Sequence, residues 1–230
     1  MSSIYDKRKF YGGWSMLLIF TVVLVIFFSP VFNGINGLDY LDNLYNSISK
    51  GSAYYIDKIR SDESLLKSKS ISVFLDTSGP EQAEQTAGLF DKAGAGASVN
   101  GTKVEVSGDL GSILATFLED ADRMYYNEGE ILSEKYGYDE RKVMYNIWHS
   151  LSEMDRDLKK QKLFKEAETV TLVKKKAVET AYNYYKIEPQ KINDNLWIVI
   201  MSLVFYVVYT VWYGFAFMYI FEGWGLSLDH

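Results

Sequence analysis

Three polar residues in the middle of the chain, Asp76, Thr77 and Ser78, form the string most typical of a chemical site. They follow an alternating segment that predicts a strand, and Pro80 predicts that a helix begins directly after them. A carboxylate and two hydroxyl groups at the N-terminus of a helix could bind an anion or supply ligands to a metal ion. The alternative, which we favour, is that Ser78 or a neighbour caps the helix and that the loop binds no ligand.

Groups for nucleophilic or redox chemistry are sparse elsewhere. The chain has no cysteine, which excludes disulfides, thiolate zinc sites, iron–sulfur clusters and covalently attached c-type haem. Its two histidines, His149 and His230, belong to no plausible Ser-His-Asp grouping, and a lone histidine on an amphipathic helix is usually a surface or partly packed residue. We therefore predict no enzymatic activity, no catalytic or metal-ligating residues and no cofactor.

Aromatic residues form a stripe on the second of two long apolar segments. Tyr206, Tyr209 and Tyr213 recur at spacings of three and four, which places them on one face of a helix, and Trp212 lies beside them. Hydroxyl groups at membrane depth are expected to find partners, so this face is predicted to contact another protein helix, or a bound quinone or lipid. The alternative, aromatic belts at the membrane interfaces, accounts for the ends of the segment but not for its centre.

The two apolar segments themselves predict transmembrane helices. Residues 14–33 and 196–221 contain no charged residue. At a rise of about 1.5 Å per residue, each is long enough to cross a hydrocarbon layer of about 30 Å. The apolar run of the first segment exceeds the usual core of a signal peptide and no small-residue cleavage site follows it, which indicates a retained anchor in the lipid bilayer.

Charge at the ends of these segments predicts their orientation. Lys7, Arg8 and Lys9 precede the first segment, whereas the residues after the second include Glu222 and Asp229 and no Lys or Arg. The positive-inside rule therefore predicts that residues 1–13 and 222–230 are cytoplasmic and that residues 34–195 are extracytoplasmic, or periplasmic, at the cell (inner) membrane. Acidic residues outnumber basic ones by 30 to 24, so nucleic acid is not expected as a partner.

The intervening residues 34–195 predict a mainly helical α+β domain. Apolar residues from Leu38 to Ile59 recur at spacings of three and four, which predicts one amphipathic helix of about 22 residues. A further helix is predicted from Asp139, and residues 163–189 predict a long helix or a helical hairpin. Together these helices are expected to form a helical stalk or bundle.

A small β-α-β-β unit is predicted within residues 70–126. A strand over 71–75 and a hairpin whose turn is Asn100–Gly101 predict a three-stranded sheet. The helix that follows the cap Asp109 carries a broad apolar stripe, and we expect it to cover the sheet.

These features predict a non-enzymatic accessory or structural subunit of a membrane protein complex, of transporter or respiratory type. The second span would dock to larger integral membrane proteins, and the domain would be presented outside. The helical seams could close within one chain or between copies, so a homo-oligomer is left open.

The order of span, extracytoplasmic helices and span is similar to that of the sensor half of bacterial chemoreceptors. This resemblance implies the alternative function, an extracytoplasmic ligand-binding or sensing module with a pocket between head and stalk. The predicted tail, residues 222–230, is too short for a signalling domain, so such a module would signal through a partner subunit.

Overall fold

The computed structural model describes residues 4–62, 65 and 67–226. Residues 1–3 and 227–230, which belong to the two predicted tails and include His230, lie outside the described residues. The described chain is mostly helical with one small sheet, and it forms two compact units. The first unit comprises the chain up to Ile48 and from Pro189 onward, and the second comprises Ser49–Glu188.

The helices and strands follow one another in chain order as α1 (Lys7–Phe28), α2 (Gly37–Ser52), α3 (Ile56–Ser61), β1 (Ser70–Asp76), α4 (Pro80–Lys92), β2 (Gly96–Asn100), β3 (Lys103–Asp109), α5 (Leu110–Tyr125), α6 (Gly129–Tyr136), α7 (Glu140–Lys160), α8 (Phe164–Val173), a π-helical turn (Lys174–Val178), α9 (Glu179–Asn183), a 3₁₀ turn (Ile192–Asn195) and α10 (Leu196–Gly223).

The first unit is built around α1 and α10, which pack side by side. Near one end of the pair Phe10 lies beside Trp224, and near the other Phe27 stacks on Phe205, so the two helices run antiparallel. Both are long and apolar enough to cross a membrane. Helix α1 ends earlier than the predicted segment 14–33, because a proline at position 30 restricts the residue before it to extended backbone.

The second unit contains the antiparallel sheet, whose strand order is β1-β3-β2. Alternate residues of β1 and β3, including Val73 and Val106, are buried on one face, as their alternating sequences predict. Helix α4 contacts β2 and β3, α5 contacts β3, and α7 contacts β1. Helix α5, which was expected to cover the sheet, packs into the same core, and the crossover helix α4 between β1 and β2 contacts the sheet as well.

The hairpin between β2 and β3 differs from its prediction by one residue. Asn100 pairs with Lys103, so the two-residue turn is Gly101–Thr102 and not Asn100–Gly101. Gly101 has a φ of +65°, while Thr102 has a negative φ. A glycine at the first turn position is the arrangement of a type II′ turn, which matches strand twist without a second left-handed residue.

The long helical segments are also more interrupted than predicted. The predicted helix from Leu38 to Ile59 is divided into α2 and α3 by the non-helical residues 53–55. The predicted helix over 163–189 begins at Phe164, passes through the π-helical turn and ends at Asn183. The cap predicted at Asp109 is confirmed, since its carboxylate accepts a hydrogen bond from the backbone N–H of Ser112. The helix predicted from Asp139 begins at Glu140, and the Asp139 carboxylate caps it by accepting from the backbone N–H of Lys142.

Candidate functional site

The predicted docking residues of α10 do not all lie on a free surface. Phe20 of α1 is buried, and its ring stacks on Tyr209 with ring centres 5.8 Å apart. The same phenyl ring lies 5.5 Å from the ring of Tyr213 and 6.5 Å from that of Trp212. Part of the aromatic stripe is therefore used to hold α10 against α1 of the same chain.

Two of the docking residues keep large exposed surfaces. Tyr206 is 61% exposed and Tyr213 is 47% exposed. Because they are seven residues apart, they lie on nearly the same side of α10, beside the seam with α1. Thr210 lies between them, and its hydroxyl donates to the carbonyl of Tyr206. The open part of the stripe is thus the flank defined by Tyr206 and Tyr213.

Trp212 has a different environment, because its indole Nε1 is buried and has no hydrogen-bond partner among the described residues. A buried donor of this kind costs free energy relative to one that is hydrogen-bonded. The ring is nevertheless packed edge-on against Phe20. We therefore assign Trp212 to the seam between α1 and α10 and not to the open flank.

Small residues bring α1 and α10 into close contact. A Cβ atom at Gly13 would lie 2.7 Å from the carbonyl oxygen of Ala216 and 2.8 Å from the backbone nitrogen of Ile220. A Cβ atom at Gly223 would lie 2.5 Å from the backbone nitrogen of Phe10. Only glycine permits backbones to approach this closely, which is the mode of packing found between helices in membranes.

Polar groups hold the first unit at both ends of the helix pair. At one end, the Lys9 ammonium lies 2.7 Å from the Glu222 carboxylate, and Tyr5 donates its backbone N–H to the carbonyl of Gly223. At the other end, the hydroxyls of Tyr45 and Ser202 are 2.6 Å apart. The described apolar middle of the pair contains no ion pair, which matches its composition.

The predicted ligand loop comes at the end of β1, and the side chains of Asp76 and Thr77 already have partners from the same chain. One carboxylate oxygen of Asp76 lies 2.9 Å from Arg156 and the other lies 3.8 Å from Lys103. The Thr77 hydroxyl donates to the carbonyl of Thr102 at 2.7 Å. The side chains of this loop therefore connect the end of β1 to the β2–β3 hairpin and to α7.

Helix α4 begins at Pro80 as predicted, but Ser78 does not cap it. Gly79 occupies the cap position, and no side chain caps the helix there. Instead the amide oxygen of Gln82 accepts a hydrogen bond from the backbone N–H of Ser78 at 2.8 Å. The bond resembles half of a capping box, but it reaches Ser78, the residue before the cap position, and not Gly79 itself.

Two buried charges in the second unit were not found from the sequence. Asp120 is buried, and it accepts hydrogen bonds from Lys135 at 2.7 Å and Tyr136 at 2.5 Å. Burial raises the pKa of Asp120 above its usual value, while the two donors act in the opposite direction. Both oxygens have a donor from α6, so this carboxylate joins α5 to α6.

Lys50 is the second of these charges and is only 1% exposed. Its ammonium donates to the carbonyl of Ile187 at 2.6 Å and to the amide oxygen of Asn127 at 3.1 Å. It also lies 5.0 Å from the centre of the Tyr125 ring. Burial lowers the pKa of Lys50, because the charged form loses solvation. The Lys50 ammonium therefore connects the first residues of the second unit to Ile187, near its end.

An aromatic cleft between α7 and α9 was also missed. It is lined by Tyr145, Trp148, Glu179, Tyr182 and Asn183, and its volume is about 410 Å³. Tyr145 and Trp148 were visible as an aromatic pair at a spacing of three on α7. Glu179 and Tyr182 follow more than thirty residues later, so no local pattern connects the two halves.

The described residues contain no group of three or more His, Asp or Glu side chains arranged to hold a metal ion. His149 lies 6.2 Å from the ring of Tyr145 at the margin of the aromatic cleft. Comparison with known proteins adds no relative, since no family model, no curated protein and no solved structure matches this chain.

Proposed function

We propose that this chain is a membrane-anchored, non-enzymatic accessory subunit of a larger membrane protein complex, of transporter or respiratory type. In this proposal α1 and α10 cross the bilayer as an antiparallel pair, residues 34–195 lie outside the cytoplasm, and both termini lie inside. The flank of α10 defined by Tyr206 and Tyr213 docks to a larger integral membrane protein.

The exposure of the two apolar helices is the observation that carries the membrane part of the proposal. The core helix of a soluble protein is mostly buried, whereas nearly all of the apolar surface of α10 and most of that of α1 faces outward. Apolar surface of this extent is rarely left in contact with water by a monomeric protein. A hydrocarbon layer would cover it without cost, and the ion pair Lys9–Glu222 would then lie at one interface.

The absence of cysteine makes the proposed orientation directly testable. Ser98→Cys places a thiol on the exposed surface of the second unit, and Tyr5→Cys places one beside the start of α1. We expect a membrane-impermeant maleimide to label the first variant in intact cells and the second only after permeabilisation. Labelling in the reverse order, or of both variants in intact cells, would contradict the proposed topology.

The docking flank is supported by its polar groups. Tyr206 and Tyr213 both present phenol rings on the outer surface of α10. A phenol hydroxyl surrounded by acyl chains has no hydrogen-bond partner there, so a neighbouring protein helix that offers an acceptor is favoured over lipid. Val204 and Val211, on the opposite side of α10, present only aliphatic groups and are suited to lipid.

Mild-detergent co-purification with mass spectrometry tests the docking proposal. We expect a larger integral membrane protein to be recovered with the wild-type chain and to be lost with Tyr206→Ala/Tyr213→Ala. The matched control is Val204→Ala/Val211→Ala, because these residues have the same spacing and similar exposure on the opposite side of the helix. Recovery of the wild-type chain alone, or equal loss of the partner in both variants, would sink the proposal.

A further inference from the structure

The aromatic cleft of the second unit has the size and lining of a small-molecule site. Its volume of about 410 Å³ falls within the range typical of ligand pockets, and its surface is mainly aromatic carbon. Tyr145 and Trp148 line the cleft from α7, and Tyr182 lines it from α9. Tyr145 is 44% exposed and Tyr182 is 39% exposed, so ring surface remains free for a ligand.

The backbone is irregular where it builds the second wall. The π-helical turn Lys174–Val178 comes directly before Glu179. A π-turn contains one residue more than an α-turn. The extra residue rotates every later side chain by about 100° around the helix axis. Such bulges are frequent at functional sites. Here the bulge brings Glu179 and Tyr182 to the side that faces α7, where both line the cleft.

Glu179 is the one charged residue among the five that line the cleft. Its Oε1 accepts a hydrogen bond from the indole Nε1 of Trp148 at 2.9 Å, which fixes the carboxylate and the ring relative to each other. The Lys174 ammonium lies 5.9 Å from the centre of the Trp148 ring and donates a hydrogen bond to the hydroxyl of Ser152. Lys174 is not among the residues that line the cleft. The cleft therefore combines aromatic faces with a single negative charge.

This combination selects among ligands by charge and by hydration. Aromatic faces attract cations through the ring quadrupole, and a fixed carboxylate adds to the attraction. A primary ammonium carries three N–H donors that must all be satisfied, and a lining of mainly aromatic carbon offers few acceptors. A quaternary ammonium carries its charge on methyl groups and needs no acceptor. We infer that the cleft between α7 and α9 binds a quaternary ammonium group of the choline type.

Tryptophan fluorescence provides a direct assay. Trp148 is the single tryptophan of residues 49–188, and the others are at positions 14, 197, 212 and 224. We therefore compare the full chain with its Trp148→Phe variant in dodecyl maltoside, a detergent without ammonium groups. Titration with choline is expected to give a saturable change that is absent from the variant, with a dissociation constant on the order of 1 mM or below.

The probe 3,3-dimethylbutan-1-ol separates charge from shape, because it has the form of choline without the charge. It is expected to bind at least roughly tenfold more weakly than choline, since it forms neither the cation–π contact nor the ion pair. Phosphocholine distinguishes the source of the ligand. Binding of both choline and phosphocholine supports a lipid headgroup, while binding of choline alone supports a free solute. Equal binding of the neutral alcohol would overturn the inference.

Variants test the residues that carry the inference. Glu179→Gln removes the charge and keeps the shape, and it is expected to weaken choline binding roughly tenfold. Tyr182→Leu removes the ring that α9 contributes and is expected to weaken binding several-fold, and unchanged melting temperatures show that both variants are folded. Glu168→Gln is the matched control, because this carboxylate is exposed on α8 and should leave binding unchanged. Wild-type affinity in Glu179→Gln, or no saturable signal with the wild-type chain, would refute the site.

Discussion

At the scale of single residues, Glu140 shows how one carboxylate connects several elements of the second unit. It is the first residue of α7, where the backbone amides of the helix N-terminus favour a negative charge. It accepts hydrogen bonds from Ser133 and Tyr185, both at 2.9 Å. Its own backbone amide, followed by these two hydroxyls, lowers the pKa of Glu140 to about 2.

The depressed pKa of Glu140 predicts how stability changes with pH. A carboxylate whose pKa is lower in the folded state than in the unfolded state stabilises the fold above its unfolded pKa of 4.5, and the contribution is lost as the pH falls toward about 2. We expect Glu140→Gln to reduce stability at pH 7 by about 1–2 kcal/mol, in keeping with hydrogen bonds to a charged group. The measurement is chemical unfolding between pH 7 and pH 2.

Glu84→Gln provides the control for this prediction, since Glu84 is exposed on α4. The difference between wild type and Glu140→Gln should diminish across the acidic window, whereas Glu84→Gln should follow the wild type throughout. A constant difference between wild type and Glu140→Gln at every pH would show that the charge of Glu140 is not the cause.

At the scale of elements, α7 closes the free edge of the sheet. Strand β1 has β3 on one side, and on the other side its backbone meets side chains from successive turns of α7. Asp157 accepts the N–H of Phe74 at 3.2 Å, and Gln161 donates to the carbonyl of Ser72 at 2.7 Å. An edge strand that keeps its backbone groups unpaired is a template for association with other chains. The helix thus substitutes for a fourth strand.

Asp157→Ala is expected to expose part of this edge. Loss of the acceptor leaves the Phe74 N–H without its partner, so we predict a decrease in the free energy of unfolding of about 1 kcal/mol. Because the edge becomes available, light scattering should also show more self-association at high protein concentration. Lys160→Ala, an exposed change on the same helix, should alter neither quantity. If both variants scatter like the wild type, the edge is protected by some other feature.

At the scale of the whole molecule, the chain forms two units of different character. The second unit has a continuous core of buried apolar residues that is drawn from its helices and its sheet. The first unit buries few side chains, and its two helices depend on close backbone contact at Gly13 and Gly223. The stability of the first unit should therefore decrease more when a glycine at this contact is enlarged than when a large side chain is truncated.

Neighbouring glycines of α1 permit a matched test of this view. A Cβ atom at Gly13 would meet the backbone of α10, whereas a Cβ atom at Gly12 would meet nothing within 4 Å. We expect Gly13→Ala to destabilise the helix pair by roughly 1–3 kcal/mol through overpacking, and Gly12→Ala to be neutral or slightly stabilising. Thermal unfolding in detergent, followed by tryptophan fluorescence, measures both. Equal stability of the two variants would contradict the packing of α1 on α10.

The sequence by itself determined the types of most elements, because local periodicity and capping residues report which face of a segment is apolar and where a helix begins. Alternation predicted β1 and β3, and long runs without charge predicted α1 and α10. Pro80, the cap Asp109 and the position Asp139 predicted three helix starts. The sequence did not determine the register of the β2–β3 turn. A glycine at position 101 is compatible both with a turn at Asn100–Gly101 and with the observed turn at Gly101–Thr102.

Only the tertiary structure decided which faces meet. The tyrosine stripe of α10 was visible in the sequence, but its division into a seam against Phe20 and an open flank depends on the antiparallel pairing with α1. The burial of Lys50 and the meeting of Trp148 with Glu179 likewise require contacts between distant parts of the chain. The physical reason is that the periodicity of apolar residues shows which face of a segment is buried. Which other segment covers that face depends on packing across the whole unit.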